Sequence, residues 1–146
     1  MVSETNGGFL ISQIRQVSGR IFEKLLNRAG IDAFNGAQGR ILYVLWQQDN
    51  IPIAELSRKT GLAKTTLTSM LDRMEQAKLV NRVFDKADRR QIRILLTEQA
   101  RLLSGEYDNV SKAMNAIYYT GFTDDEILIF ENTLRRILIN LNESES

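Results

Sequence analysis

Four short hydroxyl side chains, Thr65, Thr66, Thr68 and Ser69, sit together in the segment LAKTTLTSMLDRM (62–74), with the cations Lys64 and Arg73 towards its borders. The chemistry open to such a set is recognition rather than reaction. Hydroxyls donate and accept hydrogen bonds, threonine methyls offer small apolar contacts, and the cations attract anions. The chain has no His and no Cys, so the commonest general base near neutral pH and the usual zinc ligands are missing. No paired-carboxylate motif presents itself. The inventory points away from an enzyme and away from a metal or other cofactor.

The apolar residues of the same segment orient these groups. A helix turns about 100° per residue, so with Leu67 inward, Ala63, Met70, Leu71 and Met74 fall within about 60° of it. Thr65 and Ser69 then point almost straight out, at about 160° and 200°. Thr68 lies to one side, Thr66 and Arg73 to the other. Threonine is a poor choice for an exposed face that serves stability alone, because its branched side chain is restricted against the preceding turn. A ridge of short hydroxyls does suit the DNA major groove. It permits close approach, its methyls can meet the thymine methyl, and its hydroxyls can bond base edges, while Lys64 and Arg73 reach phosphates or a guanine edge. Recognition helices enter by their first turns, where these residues lie. Asp72 also faces outward, where it would repel phosphate, so it is expected either to pair locally or to lie beyond the deepest insertion.

After Leu79 the period changes. Residues 80–85 and 91–96 are rich in β-branched side chains and partly alternate, and the charged stretch Lys86-Ala87-Asp88-Arg89-Arg90 separates them. This pattern predicts a β-hairpin with a basic tip. Arg89 and Arg90 on a narrow ribbon suit a minor groove, where A·T-rich narrowing deepens the negative potential. Asp88 looks wrong beside DNA until it is given the task of accepting turn N–H groups and holding an arginine.

The elements that must position these groups are mostly helical. Apolar steps of three and four predict a helix over 9–29, closed near Gly30. Asn35 can cap a second helix reaching about Gln47, whose run Ile41-Leu42-Tyr43-Val44-Leu45-Trp46 is apolar all round and so reads as buried. Pro52 opens a short helix over 53–60 that Gly61 ends, and the quoted helix follows at once, which makes a helix-turn-helix. Thr97 caps a long helix reaching about Tyr119, and Thr123-Asp124-Asp125-Glu126 is a capping box that starts a last helix. The polar stretch Met1–Gly8 is expected to fray. Helix-turn-helix followed by hairpin is a winged helix, here in a mainly α fold with long helices at both ends. Those end helices carry more apolar surface than a small winged helix needs, and a second copy of the chain is the simplest cover; a single monomeric bundle is the alternative.

Charge supports the same division. The formal net charge is only +1, yet residues 55–101 hold 11 Lys and Arg against 6 Asp and Glu, a net of +5, and the remainder carries −4. A basic middle between acidic flanks is the footprint of a chain whose middle meets a polyanion. With no apolar run long enough to span a bilayer, no signal-peptide pattern and no cysteine, a cytoplasmic protein without a membrane partner is expected.

The ordered set of Pro52 to Leu56, Gly61-Leu62-Ala63-Lys64-Thr65-Thr66-Leu67-Thr68, Leu71-Asp72-Arg73-Met74-Glu75, Asp88-Arg89-Arg90 and Leu96-Thr97 resembles the MarR family of bacterial transcription regulators. The resemblance covers nearly the whole chain. It implies a homodimer, usually a repressor, bound to a pseudo-palindromic double-stranded DNA operator, with 9–34 and 98–142 as dimerisation helices. Residues 35–97 would form the DNA-binding winged helix of this single 1–146 domain, with its wing over 80–96. It also implies that Asp88 and Arg90 place the wing arginine in the minor groove, and that a small aromatic effector can release the DNA. Two positions depart from the family pattern: Ala63 stands where a polar cap is frequent, and Pro52 where Ser or Thr often faces Glu55. The absence of cysteine excludes the subclass that senses peroxide by thiol oxidation.

The expected site is therefore Lys64, Thr65, Thr66, Thr68, Ser69, Arg73, Asp88, Arg89 and Arg90. Tyr43, Trp46 and Tyr107 lie on helices that could line an effector pocket, although aromatics at helical spacing are more often core. The competing function is a winged-helix adaptor that binds protein and never specific DNA.

Overall fold

The computed structural model describes residues 4–146. Met1 to Ser3, part of the stretch expected to fray, lie outside the described residues. The first helix begins earlier than its apolar periodicity indicates: α1 spans Gly7–Arg28. It is followed by α2 (Gly36–Gln47), β1 (Ile51–Pro52), α3 (Ile53–Thr60), α4 (Lys64–Gln76), β2 (Val80–Phe84) and β3 (Ile92–Leu96). Three helices complete the chain, α5 (Glu98–Arg101), α6 (Ser104–Tyr118) and α7 (Asp124–Glu145). The chain divides into two compact units, one ending at Met114 and the other running Asn115–Ser146.

In the first unit the sheet has the order β1-β3-β2. β2 and β3 pair antiparallel from Val80 opposite Leu96 to Phe84 opposite Ile92, which is the expected wing. β1 is not legible as a strand in the sequence. Two residues are too few to show a period, and it pairs with β3 through Ile51 opposite Ile94 and Pro52 opposite Arg93. The core lies between α2, α3, α4 and this sheet, where Ile41, Leu42, Leu45, Leu56, Leu67, Leu71, Met74 and Ile94 are fully buried. Each such side chain contributes roughly 1.5–3 kcal/mol of transfer free energy. The α2 run is not buried all round as its composition suggested: Val44 and Trp46 are half-buried and Tyr43 is exposed. Tyr107 lies against Gly39, where an added Cβ would come within 2.8 Å of its ring.

Local signals set the helix ends. Asn35 and Gln38 form a reciprocal capping box on α2, as Thr123 and Glu126 do on α7. Each such box satisfies two of the N–H groups that a helix start leaves open. α4 ends in a Schellman motif: Leu79 N–H donates to Met74 C=O, and Lys78 N–H to Glu75 C=O. The helix expected to run unbroken from Thr97 to about Tyr119 is interrupted. α5 is a single turn, and Leu103 N–H donates to Ala100 C=O before α6 begins. Thr97 does cap it, accepting from Ala100 N–H while its hydroxyl donates to the Lys78 carbonyl at 2.7 Å.

In the second unit, α7 buries no residue. Tyr119 donates its hydroxyl to Glu131 at 2.7 Å and packs edge-on against Phe122 and Phe130. Burial, reinforced by the Glu131 carboxylate, pushes the Tyr119 phenol up to about 12.

Candidate nucleic-acid interface

The turn before α4 is fixed from both sides. Gly61 adopts φ +76, a left-handed conformation that favours glycine. The Ser57 hydroxyl donates to the Leu62 carbonyl at 2.6 Å, and Leu62 N–H donates to the Thr60 hydroxyl at 3.2 Å. The N-cap position of α4 is Ala63, which supplies no side-chain cap. Thus α4 is aimed by its turn and by its core face.

That face follows the expected wheel. Leu67, Leu71 and Met74 are fully buried, while Lys64, Thr65, Thr66, Thr68, Ser69, Asp72 and Arg73 are all exposed. Ala63, reckoned among the inward residues, is exposed because it lies just ahead of the helix. The Thr68 hydroxyl turns back to the Lys64 carbonyl at 2.8 Å. Among the described residues no hydrogen bond engages the hydroxyls of Thr65, Thr66 or Ser69. Those three are free to bond an external partner.

At the wing tip, the Asp88 carboxylate accepts from Arg90 N–H at 3.1 Å and from the Arg90 guanidinium at 3.0 and 3.2 Å. Those bonds, the guanidinium first, hold the Asp88 carboxyl below its usual range. Asp88 is therefore the orienting group anticipated for it. The Arg90 side chain stays 91 % exposed despite the pair, and Arg89 is exposed too. The hairpin presents both cations outward.

Sequence spacing missed the support beneath this surface. Asp85 accepts from the N–H groups of Ala87 and Asp88 at 2.8 and 3.2 Å and pairs with Arg93 at 2.9 Å. Those bonds, the Ala87 N–H foremost, lower its carboxyl from the ordinary value. Arg93 also donates to the Asn50 side chain at 2.8 Å and to its carbonyl at 2.6 Å, which ties the wing to the corner after α2. Arg82 on β2 reaches Asp72 at 2.6 Å and Glu75 at 2.8 Å. Asp72 thus pairs locally, the first of the two alternatives expected for it.

The three aromatics proposed for an effector come together as well. Tyr107 is buried, with its ring centroid 5.3 Å from that of Trp46 and 6.0 Å from that of Tyr43. Trp46 Nε1–H donates to the Ala100 carbonyl at 3.0 Å, and Phe22 and Phe34 also pack on Tyr107. Burial raises the Tyr107 phenol. An open cleft of about 370 Å³ lies elsewhere in the first unit, lined by Leu25, Arg28, Glu106 and Val110 among others; Tyr43, Trp46 and Tyr107 do not line it.

A helix-turn-helix with an exposed polar second helix, followed by a two-stranded wing with a cationic tip, defines a winged-helix protein. Residues 34–92 match the MarR family. It is 38 % identical over 93 residues to the uncharacterized HTH-type transcriptional regulator YsmB of Bacillus subtilis (strain 168), a match spanning 64 % of each chain. The chain thus covers just under two thirds of that relative's length. In structure it is similar to a mutant MarR from E. coli complexed with operator DNA, with a TM-score of 0.79, 24 % identity and coverage of 90 % of this chain and 92 % of that one. It is also similar to reduced AbfR bound to DNA, with a TM-score of 0.73, 26 % identity and coverage of 91 % and 90 %. The family and the named relative are transcription regulators, not enzymes.

Proposed function

We propose that the chain is a sequence-specific DNA-binding transcription regulator that acts as a homodimer on a two-fold-symmetric operator. α4 of each copy enters the major groove, where Thr65, Thr66, Thr68, Ser69 and Arg73 read or border bases. Lys64 and Arg89 contact phosphate, and Arg90, oriented by Asp88, enters the minor groove. The observation that carries this reading is the outward face of α4, whose hydroxyls at Thr65, Thr66 and Ser69 are exposed while Leu67, Leu71 and Met74 anchor the opposite side in the core. The DNA-bound state of AbfR, 26 % identical, supports it.

The dimer rests on uncovered apolar surface. On α1, Phe9, Leu10, Ile11, Ile14 and Val17 are exposed, and on α7 so are Leu128, Ile129, Phe130, Ile137, Leu138, Ile139 and Leu141. Such continuous apolar stripes mark association surfaces. In this reading the protein is a repressor that a small aromatic effector releases. The support is Tyr43, 47 % exposed beside the rings of Tyr107 and Trp46, where a flat ligand can stack. Among the described residues no helix is long and apolar enough to cross a membrane.

The test is selection of bound duplexes from a random pool. The expected product is a two-fold-symmetric site with half-sites about 10 bp apart. Binding that shows no sequence preference and vanishes at moderate salt would replace this reading with the adaptor.

A further inference from the structure

The outward stripe of α4 contains a charge of the wrong sign. Asp72 lies seven residues after Thr65, about two turns on and within about 20° of it around the helix. Its side chain is 56 % exposed. Glu75 follows at the edge of the same face, its side chain 36 % exposed. Two carboxylates in the third and fourth turns of a helix that approaches phosphates would each raise the cost of binding.

One residue, on another element, answers both. The Arg82 guanidinium holds Asp72 Oδ1 through Nη1 at 2.6 Å. It donates to Glu75 Oε1 through Nε at 3.2 Å and Nη2 at 2.8 Å. The Arg82 backbone N–H donates to the other Glu75 oxygen at 3.2 Å. Every guanidinium nitrogen is thus engaged, in the fork geometry that lysine cannot reproduce. Arg82 is itself half-buried, with a side chain 26 % exposed, so it is not presented outward as Arg73, Arg89 and Arg90 are.

From this geometry, and resting on the DNA-binding reading above, we infer that Arg82 is a positioning residue of the interface. It draws the Asp72 and Glu75 carboxylates towards strand β2 and offsets one of their two negative charges, so that the outward face of α4 meets phosphate with less uncompensated negative charge. It touches no base or phosphate itself. The same three side chains join the recognition helix to the first strand of the wing, so α4 and the hairpin present their contacts in one fixed relation.

The experiment compares the wild-type chain, Arg82→Gln, Asp72→Asn and the triple variant Arg82→Gln/Asp72→Asn/Glu75→Gln. Affinity for the selected operator is measured across a salt series, and folding is checked by thermal melting. Arg82→Gln should lose roughly tenfold or more in affinity, most at low salt. The triple variant, which removes the carboxylate charges along with the cation, should recover most of that loss even though the brace is gone. Asp72→Asn alone should bind as tightly as wild type or tighter, and this arm stays readable even where Arg82→Gln fails to fold. The inference is overturned if Arg82→Gln binds like wild type, if the folded triple variant remains as weak as Arg82→Gln, or if Asp72→Asn weakens binding, which would make Asp72 a base-reading group. A wild type that selects no site overturns the DNA-binding reading itself and this inference with it, so the two failures are told apart by the first measurement.

Discussion

Helices α4 and α7 are both amphipathic, and they use their faces in opposite ways. α4 has 13 residues and buries Leu67, Leu71 and Met74 in the core of its own unit. What it leaves in solvent is hydroxyl and charge. α7 has 22 residues and buries none, and what it leaves in solvent includes Leu128, Ile129, Leu138 and Leu141. An exposed polar face over a satisfied apolar one is complete as a folded element and available to a polar ligand. An exposed apolar face is incomplete until protein covers it. The contrast separates a surface suited to nucleic acid from one suited to a second copy of the chain.

That separation can be broken at several points. The largest expected effect is on the buried side of α4: Leu71→Ala should cost about 2–5 kcal/mol of stability, read from the midpoint of chemical denaturation. Operator affinity of the protein that remains folded should be unchanged. On α7, Leu138→Glu should weaken self-association by about 2–4 kcal/mol, the range for a central interface residue. Sedimentation should then report the mass of one chain, with helix content retained. An unaltered dimer would show that α7 does not supply the interface.

The outward surface should respond in the reverse manner. Arg90→Ala should weaken operator binding by about 1–3 kcal/mol and reduce the salt slope by about 1, while the melting temperature barely moves. An unchanged affinity and slope would remove the wing from the interface. Smaller still is Thr123→Ala, which deletes one half of the α7 capping box and should cost about 1 kcal/mol, visible as reduced helicity or a lower denaturation midpoint. The least effect belongs to acid. Asp85, Asp88 and Glu75 all have folded-state values lowered by their hydrogen bonds, to Ala87 N–H, Arg90 and Arg82 respectively. Their contribution is complete above the ordinary carboxylate range and is lost as pH falls through and below about 4. Protection of the wing amides, taken relative to the intrinsic exchange rate at each pH, should fall there before the core opens, and a wing that stays protected would contradict the role given to Asp85.

Much of this was written in short-range pattern. The direction of the α4 hydroxyls followed from the spacing of Leu67, Leu71 and Met74. The wing followed from a change of period after Leu79, and the α2 and α7 starts followed from Asn35 and Thr123. The resemblance to the family drew on the same stretches. Where pattern misled, a competing packing demand explains it. Tyr43 reads as buried because its neighbours are apolar, but α2 turns that position to solvent. The long helix after Thr97 has continuous helical spacing, yet it breaks at Leu102 and Leu103 between α5 and α6.

The sequence by itself determined where most of the helices lie, which side of α4 is apolar and which loop carries Arg89 and Arg90, because those properties depend on neighbours a few positions away. It did not disclose that Arg93 bridges Asp85 to Asn50, a partner 43 residues distant. Nor did it disclose that Arg82 is the partner Asp72 required, or that Ile51 and Pro52 complete the sheet. Those pairings exist only once burial of Leu56, Leu67, Leu71 and Ile94 has brought separate segments to one place, since a hydrogen bond between distant positions has no periodicity to announce it. Local chemistry chose the surface, and the packed core decided how it is held.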